Sequence, residues 1–444
     1  MAGLPGDPKG VIRTVFGRSS DRSTAATQSK LATASREEPV GPAPESPASV
    51  PRGSALEVLA VATRLGFTCF GGPIAHLGYF RDEYVVRRRW LDEKSYADLI
   101  ALCQFLPGAA SSKLGMSIGI LRAGLPGGLL AWLGFTLPSA VALTLAAILL
   151  RGVTSGTINL LHGLKVVAVA VVAQAVWGMA RNLAPDRPRA TIAIAACAAV
   201  FVLPTAIGQI TVIAVAALIG WRFLRSGGTD NGPRLAVPVP RWLGIVAWVL
   251  LLGLLVGLPL ARSLASSQPL ALFDSFYRSG SLVFGGGHVV LPLLRSEVVP
   301  SGWVTDNQFL AGYGMAQAVP GPLFTFGAYL GAAMGPAPNG VLGAALALMA
   351  IFLPSMLLAV GALPWWGVLR ARPAAQAALR GVNAAVVGIL LAALYNPVWT
   401  SAILRPADFV LALCAFGALV VWRLPPWIVV LLTAAVGALL AAIT

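Results

Sequence analysis

The chain has 444 residues, 57% of them hydrophobic and only 11% charged, with a formal net charge of +15. A charged fraction about half that of an ordinary soluble domain excludes a water-soluble globular protein. The basic excess has no aromatic-interleaved stripe, so it is not a nucleic-acid surface; in a bilayer, basic loops are first an orientation signal.

The first 54 residues are rich in Ser, Ala, Pro, Thr and Arg, with no apolar run and without the h-region and small-residue cleavage-site pattern of a signal peptide, and are expected to form a disordered cytoplasmic tail. From Leu56 onward apolar stretches recur, each near the ~20 residues that cross a bilayer. In chain order the candidate spans are 55–76, 97–121, 126–150, 163–181, 190–204, 206–222, 242–261, 270–292, 307–334, 339–363, 374–395, 407–422 and 426–443, thirteen in all. The expected fold is thus an all-α polytopic membrane protein with helices broken by Gly and Pro.

The chain also repeats itself. Arg64, Gly66, Phe70, Gly71, Gly72 and Leu77 recur 214 residues later as Arg278, Gly280, Phe284, Gly285, Gly286 and Leu291, and Arg81 and Glu83 recur as Arg295 and Glu297. Trp90 then matches Trp303, Gln104–Gly108 (QFLPG) matches Gln317–Gly321 (QAVPG), and Leu137–Ser139 (LPS) matches Leu353–Ser355. The organisation expected is a first repeat over 55–222, a loop and linking helix over 223–266, and a second repeat over 267–444. Seven segments separate the first span of one half from the first span of the other, so the halves would be inserted upside down relative to each other. Such folds place the substrate at the repeat interface, on interrupted helices.

With the N-terminus inside, the inner loops collect Arg181, Arg187 and Arg189, then Arg222, Arg225, Arg234 and Arg241, then Arg370, Arg372 and Arg380. The C-terminus would be outside. One loop disagrees: Arg81, Arg87, Arg88, Arg89 and Lys94 would lie outside, and this segment is read as amphipathic and interfacial. Trp242, Trp303, Trp399 and Trp427, near span ends, read as interfacial anchors.

Candidate site residues follow from the breaks. Arg64 and Arg278 sit at matched positions inside apolar segments, where a guanidinium costs several kcal/mol unless it faces a cavity or a partner. Their donor forks suit an oxyanion, although carboxylates such as Glu57 or Asp274 could instead pair with them. Gly71-Gly72-Pro73 and Gly285-Gly286-Gly287 interrupt helical stretches, and a break frees backbone N–H groups at a half-helix N-terminus. Pro107-Gly108 and Pro320-Gly321 form a second pair of breaks, preceded by Gln104 and Gln317. Ser111, Ser112 and Lys113 follow the first of these and Thr325 the second; Lys113 has no counterpart, since Phe326 holds its place. His76 and His288 follow the Gly-rich breaks. No sequence pattern indicates a metal ion or a cofactor.

The paired F-G-G segments (Phe70–Pro73 and Phe284–His288), each followed by a Trp and a P-G break, resemble the long, two-domain bacterial form of the chromate ion transporter family. The resemblance covers about residues 55–443. It implies an inner-membrane protein that exports chromate and gives chromate resistance, with two oppositely oriented halves and sulfate as the look-alike anion. The first half reads F-G-G-P where the second reads F-G-G-G-H, so the halves need not play equal roles. The expected partners are the oxyanion, the lipid bilayer and, as one option, a second copy in a homodimer. Alternatives from the same residues are an uptake carrier or exchanger for sulfate or a related tetrahedral oxyanion, a passive channel, or a membrane-embedded enzyme. The enzyme reading has against it the lack of paired carboxylates, a Cys–His arrangement or a cofactor motif.

Overall fold

In the computed structural model the described residues are 52–70, 72–150, 156–224, 238–265, 267–284, 289–366 and 372–443, and the regular elements among them are all helical. Most of the expected N-terminal tail lies outside them. The first half contains α1 (Ala55–Thr68), α2 (Gly72–Phe80, continued by a π-helical stretch Arg81–Arg87), α3 (Glu93–Phe105), α4 (Ala110–Leu150), α5 (Gly156–Leu183), α6 (Arg187–Val202) and α7 (Ala206–Phe223). Helix α8 (Arg241–Leu264) links it to α9 (Gln268–Ser281), α10 (Val290–Val298), α11 (Asp306–Ala318), α12 (Phe326–Ala333), α13 (Gly340–Ala362), α14 (Pro373–Ala393), α15 (Pro406–Val420) and α16 (Pro426–Ile443).

Among the described residues five helices are long and apolar enough to cross a membrane, within Ala110–Leu150, His162–Leu183, Arg241–Leu264, Gly340–Trp365 and Pro373–Ala402. Shorter apolar helices at Ile207–Phe223, Pro406–Val420 and Pro426–Leu440 pack beside them. Within the expected spans 55–76, 97–121, 270–292 and 307–334 the described residues form shorter helices on either side of the Gly/Pro positions. Helix α1, at 14 residues, is about 21 Å long, against a hydrocarbon thickness of roughly 30 Å.

Local chemistry sets these bends. Helix α3 starts where the Asp92 carboxylate accepts the Ser95 N–H at 2.8 Å, and α11 starts at the matched position, Thr305, in a capping box with Gln308. Helix α4 is broken at Ala123 (φ −142°, ψ 25°) and Gly124 (φ 67°, ψ −163°), so its first arm turns back on its second. The arms touch through Gly119 and Gly127, and Gly331 of α12 meets Gly343 of α13 in the same way.

The limb ends return to where they began. The Gly53 N–H donates to the Arg122 carbonyl at 2.9 Å and Arg88 reaches Glu57 at 3.5 Å, which joins the start of α1, the end of the π-helical stretch and the end of α4's first arm. In the second half the Gly335 N–H donates to the Trp303 carbonyl at 2.9 Å, and the Ser275 hydroxyl donates to Glu297 at 2.8 Å. The first-half ends lie beside the start of α8: Trp366 Nε1 donates to Asp98 at 2.9 Å, and the Arg241 guanidinium sits 5.4 Å over the Trp365 ring. The second-half ends lie at the other end of α8, where Arg262 meets Asp274 at 3.2 Å. Arg81–Lys94 therefore lies with the first-half ends, on the side of the bundle where α8 starts at Arg241.

The long helices interlock across the halves. Helix α5 packs on α15 and α16, while α14 packs on α6 and α7. Each seam is made by small residues in backbone contact, Gly163 against Ala434 and Gly437 in one and Gly381 against Ala216 and Gly220 in the other. Helix α8 exposes Val249, Leu252, Val256 and Leu260, a lipid-facing surface in a membrane protein. Trp242 and Trp427 are exposed as anchors would be, but Trp303 is only 6% exposed and is a core residue.

Candidate functional site

The helix breaks of the two halves pair crosswise at the centre of the bundle. The Gly108 N–H donates to the Val283 carbonyl at 2.6 Å, and the Gly321 N–H donates to the Cys69 carbonyl at 2.8 Å. Each P-G turn thus docks on the residue that precedes the F-G-G of the other half. Both glycines are held at positive φ, +99° for Gly108 and +98° for Gly321. The serines of the repeated L-P-S complete the arrangement: a side chain at Gly108 would meet Ser355 Oγ and one at Gly321 would meet Ser139 Oγ. Ser355 Oγ also accepts the Ala109 N–H at 2.9 Å. Helix α4's second arm and α13, which carry these serines, pack against each other through Trp132 and Phe352, whose rings are 5.7 Å apart.

The starts of α2, α4, α10 and α12 follow directly on these breaks. A half-helix N-terminus offers unpaired N–H groups and the positive end of the helix dipole. Lys113 is fully buried, and its Nζ donates to the Leu106 and Pro107 carbonyls at 2.5 and 2.7 Å. It ties the end of α3 to the start of α4. Ser111 is buried on the same turn. Gln317 is half-buried and hydrogen-bonds the Tyr313 side chain, whereas Gln104 is exposed.

The two matched arginines are not brought together. Arg64 is 55% exposed on its side chain and 4.0 Å from Glu83. Arg278 is better buried and bonds Asp274 at 2.9 Å and Glu297 at 3.2 Å. Asp274 is thus the partner anticipated for Arg278, while Glu57 pairs with Arg88 and Arg122 instead. These ion pairs echo the sequence repeat: Arg64–Glu83 matches Arg278–Glu297, and Arg81 bonds Glu93 at 3.1 Å as Arg295 bonds Asp306 at 2.8 Å.

Gly72 opens α2 at φ +78°. Gly71, Gly285, Gly286, Gly287 and His288 lie outside the described residues, and Pro73, Pro107 and Pro320 flank the breaks. Sequence reasoning did not assign a role to Ser139 or Ser355, although the repeated L-P-S was the available signal, and it missed His162, which meets Asp408 at 2.8 Å where α5 crosses to α15. Among the described residues no group of three His, Cys, Asp or Glu side chains could hold a metal ion.

Comparison with known proteins gives a consistent picture. The family model described as "Chromate transporter" matches residues 56–221 and again 270–438. The chain is 28% identical over 358 residues to the chromate transport protein of Pseudomonas aeruginosa, covering 75% of this chain and 79% of that one. It is 26% identical over 342 residues to the chromate transport protein of Cupriavidus metallidurans, covering 74% and 79%. An uncharacterized transporter of Methanocaldococcus jannaschii is 26% identical over 345 residues, covering 76% and 83%. No solved structure matches the chain.

Proposed function

The chain belongs to the chromate transporter family, and we propose that it is a secondary transporter that exports chromate across the bacterial inner membrane and so gives chromate resistance. The observation that most supports this is the crosswise bonding of the four breaks, Gly108 to Val283 and Gly321 to Cys69. It gathers half-helix N-termini from both halves at one central point, the arrangement by which interrupted helices receive anions at membrane depth. In this reading the anion meets the backbone at Gly71, Gly72, Gly108, Gly321 and Gly285–Gly287. Ser111, Lys113, Gln104, Gln317 and His288 surround it, and Arg64 and Arg278 stand on the approaches from the two sides.

The two halves act as inverted repeats that rock against each other. The positive-inside rule supports placing the first-half limb ends in the cytoplasm. Arg81, Arg87, Arg88, Arg89 and Lys94 then join Arg181, Arg187, Arg189, Arg222, Arg241, Arg372 and Arg380 at one end, while the other end keeps Lys165, Arg262, Arg295 and Arg405. The C-terminus is outside. Cysteine placed at Arg89 is expected to resist a membrane-impermeant thiol reagent on intact cells, and cysteine at Arg405 to react. The reverse pattern would invert this orientation.

Export of a dianion needs no nucleotide. Each elementary charge is worth about 2.3 kcal/mol per 100 mV, so an inside-negative cell drives a dianion outward by roughly 4.6 kcal/mol per 100 mV. In everted vesicles an inside-positive potential should drive chromate accumulation that excess sulfate reduces. Chromate flux that is absent at every potential would reject the substrate, and flux that runs only toward the cytoplasmic side would reject export.

A further inference from the structure

The halves match in motif but not in the chemistry around the breaks. His76, Ser112, Thr136 and Lys113 are all at most 1% exposed. Ser112 Oγ and Thr136 Oγ1 make no hydrogen bond within the protein, and the His76 ring has only the Cys69 backbone as a polar partner. At the matched positions the second half has Val290, Thr325, Phe352 and Phe326. The three apolar ones are fully buried, and the Thr325 hydroxyl is spent on the Pro322 carbonyl at 2.7 Å. Leaving a buried donor or acceptor unpaired costs about 1–3 kcal/mol. Two such hydroxyls and a histidine with a single backbone partner in one half, each replaced by an apolar or self-satisfied residue in the other, mark a place built for a polar ligand.

Their placement agrees. His76 lies on α2 with its ring edge-on to Phe135 of α4's second arm, 5.4 Å between centroids, and beside the Cys69 backbone at the break. Thr136 follows Phe135 directly. One turn further along α2, Phe80 packs on Gly115 of α4's first arm and, at 5.1 Å, on Phe135. Helices α2 and α4's first arm run the same way from their breaks, so stepping back four residues on each brings His76 level with Ser111 and Ser112 in the opening turns.

We infer that the transport path holds one oxyanion site rather than a symmetric pair. This site is centred on the first-half side of the crossed breaks, with His76, Ser112 and Thr136 as side-chain donors to a tetrahedral dianion at the starts of α2 and α4. The matched positions of the second half carry the buried apolar side chains of Val290, Phe326 and Phe352. At these positions the second half therefore offers no side-chain donor, and it meets the site through the backbone of its break, where Gly321 bonds Cys69. The inference rests on the proposed oxyanion transport and names the donors of that site.

The test is chromate transport kinetics of the full chain in liposomes, with sulfate as competitor. Thr136→Val, which removes only a hydroxyl, and His76→Leu should each raise KM about fivefold or more with Vmax changed by less than about twofold, the loss expected for a donor hydrogen bond to a charged ligand. His76→Gln, which keeps an N–H, should recover most of the affinity, and Val290→Thr should leave KM within about twofold. Where His76→Leu does not insert, Thr136→Val decides. An unchanged KM in Thr136→Val, or a rise in Val290→Thr equal to that in the first-half variants, would overturn the single-site inference while leaving transport standing. A wild-type protein that moves neither chromate nor sulfate would overturn the transport reading and this site with it.

Discussion

Alanine at Gly108 or at Gly321 is expected to abolish chromate flux in vesicles, whereas alanine at the exposed Gly253 of the linking helix, which has open space around it, should leave flux near wild type. Both break glycines hold φ close to +100°. An L-residue with a side chain pays about 1–2 kcal/mol for left-handed backbone, which alone amounts to roughly five- to thirtyfold. A methyl group would add a collision, since its carbon would fall 2.9 Å from Ser139 Oγ at Gly321 and nearer still to Ser355 Oγ at Gly108. The turn would have to withdraw, breaking the Gly108–Val283 or Gly321–Cys69 bond that joins the halves. Pairing Gly321→Ala with Ser139→Ala should relieve the collision but not the backbone strain, so flux should return only in part. Full activity in either single variant would show that the crossed pairing is dispensable.

The second large effect concerns stability and separates two residues that the sequence presents as equivalents. Arg278→Met is expected to lower the amount of folded protein recovered from membranes severalfold and to reduce its melting temperature in detergent. Arg278 neutralises Asp274, whose side chain is 1% exposed, and Glu297, at 14%. Removing one partner of a buried ion pair costs about 3–5 kcal/mol, because the charge left behind has neither water nor counter-ion. Arg262 also reaches Asp274, at 3.2 Å, which places the expected loss toward the lower end of that range. Arg64→Met should change the melting temperature little, because that side chain is more than half exposed and exposed pairs contribute about 0–1 kcal/mol. Asp274→Asn combined with Arg278→Met should restore much of the folded yield. Equal losses at Arg64 and Arg278, or no rescue, would contradict this account of the ion pairs.

The unequal surroundings of the two arginines show how far the sequence could be read. Their matched positions, their intramembrane cost and the carboxylate Asp274 as a partner were all legible, because Asp274 precedes Arg278 by one helical turn. The partner of Arg64 was not: Glu83 comes from the far limb of a hairpin, and the nearer candidate, Glu57, is taken by Arg88 and Arg122. Likewise the breaks at Pro107-Gly108 and Pro320-Gly321 were visible as Gly/Pro interruptions, but their partners Val283 and Cys69 lie across the duplication, beyond the reach of any local pattern.

The sequence by itself determined the class of protein, through apolar length and sparse charge, and the duplication with the positions of its four breaks, through Gly and Pro chemistry that no neighbouring context can remove. Only the tertiary structure decided what those breaks do. An apolar stretch of some twenty residues has the same hydropathy whether it runs straight across a bilayer or bends midway and returns, since each course buries similar apolar surface. The difference lies in which groups satisfy the backbone at the bend. Here they are the Gly108–Val283 and Gly321–Cys69 bonds from the opposite half, which come into existence only when both halves are folded together.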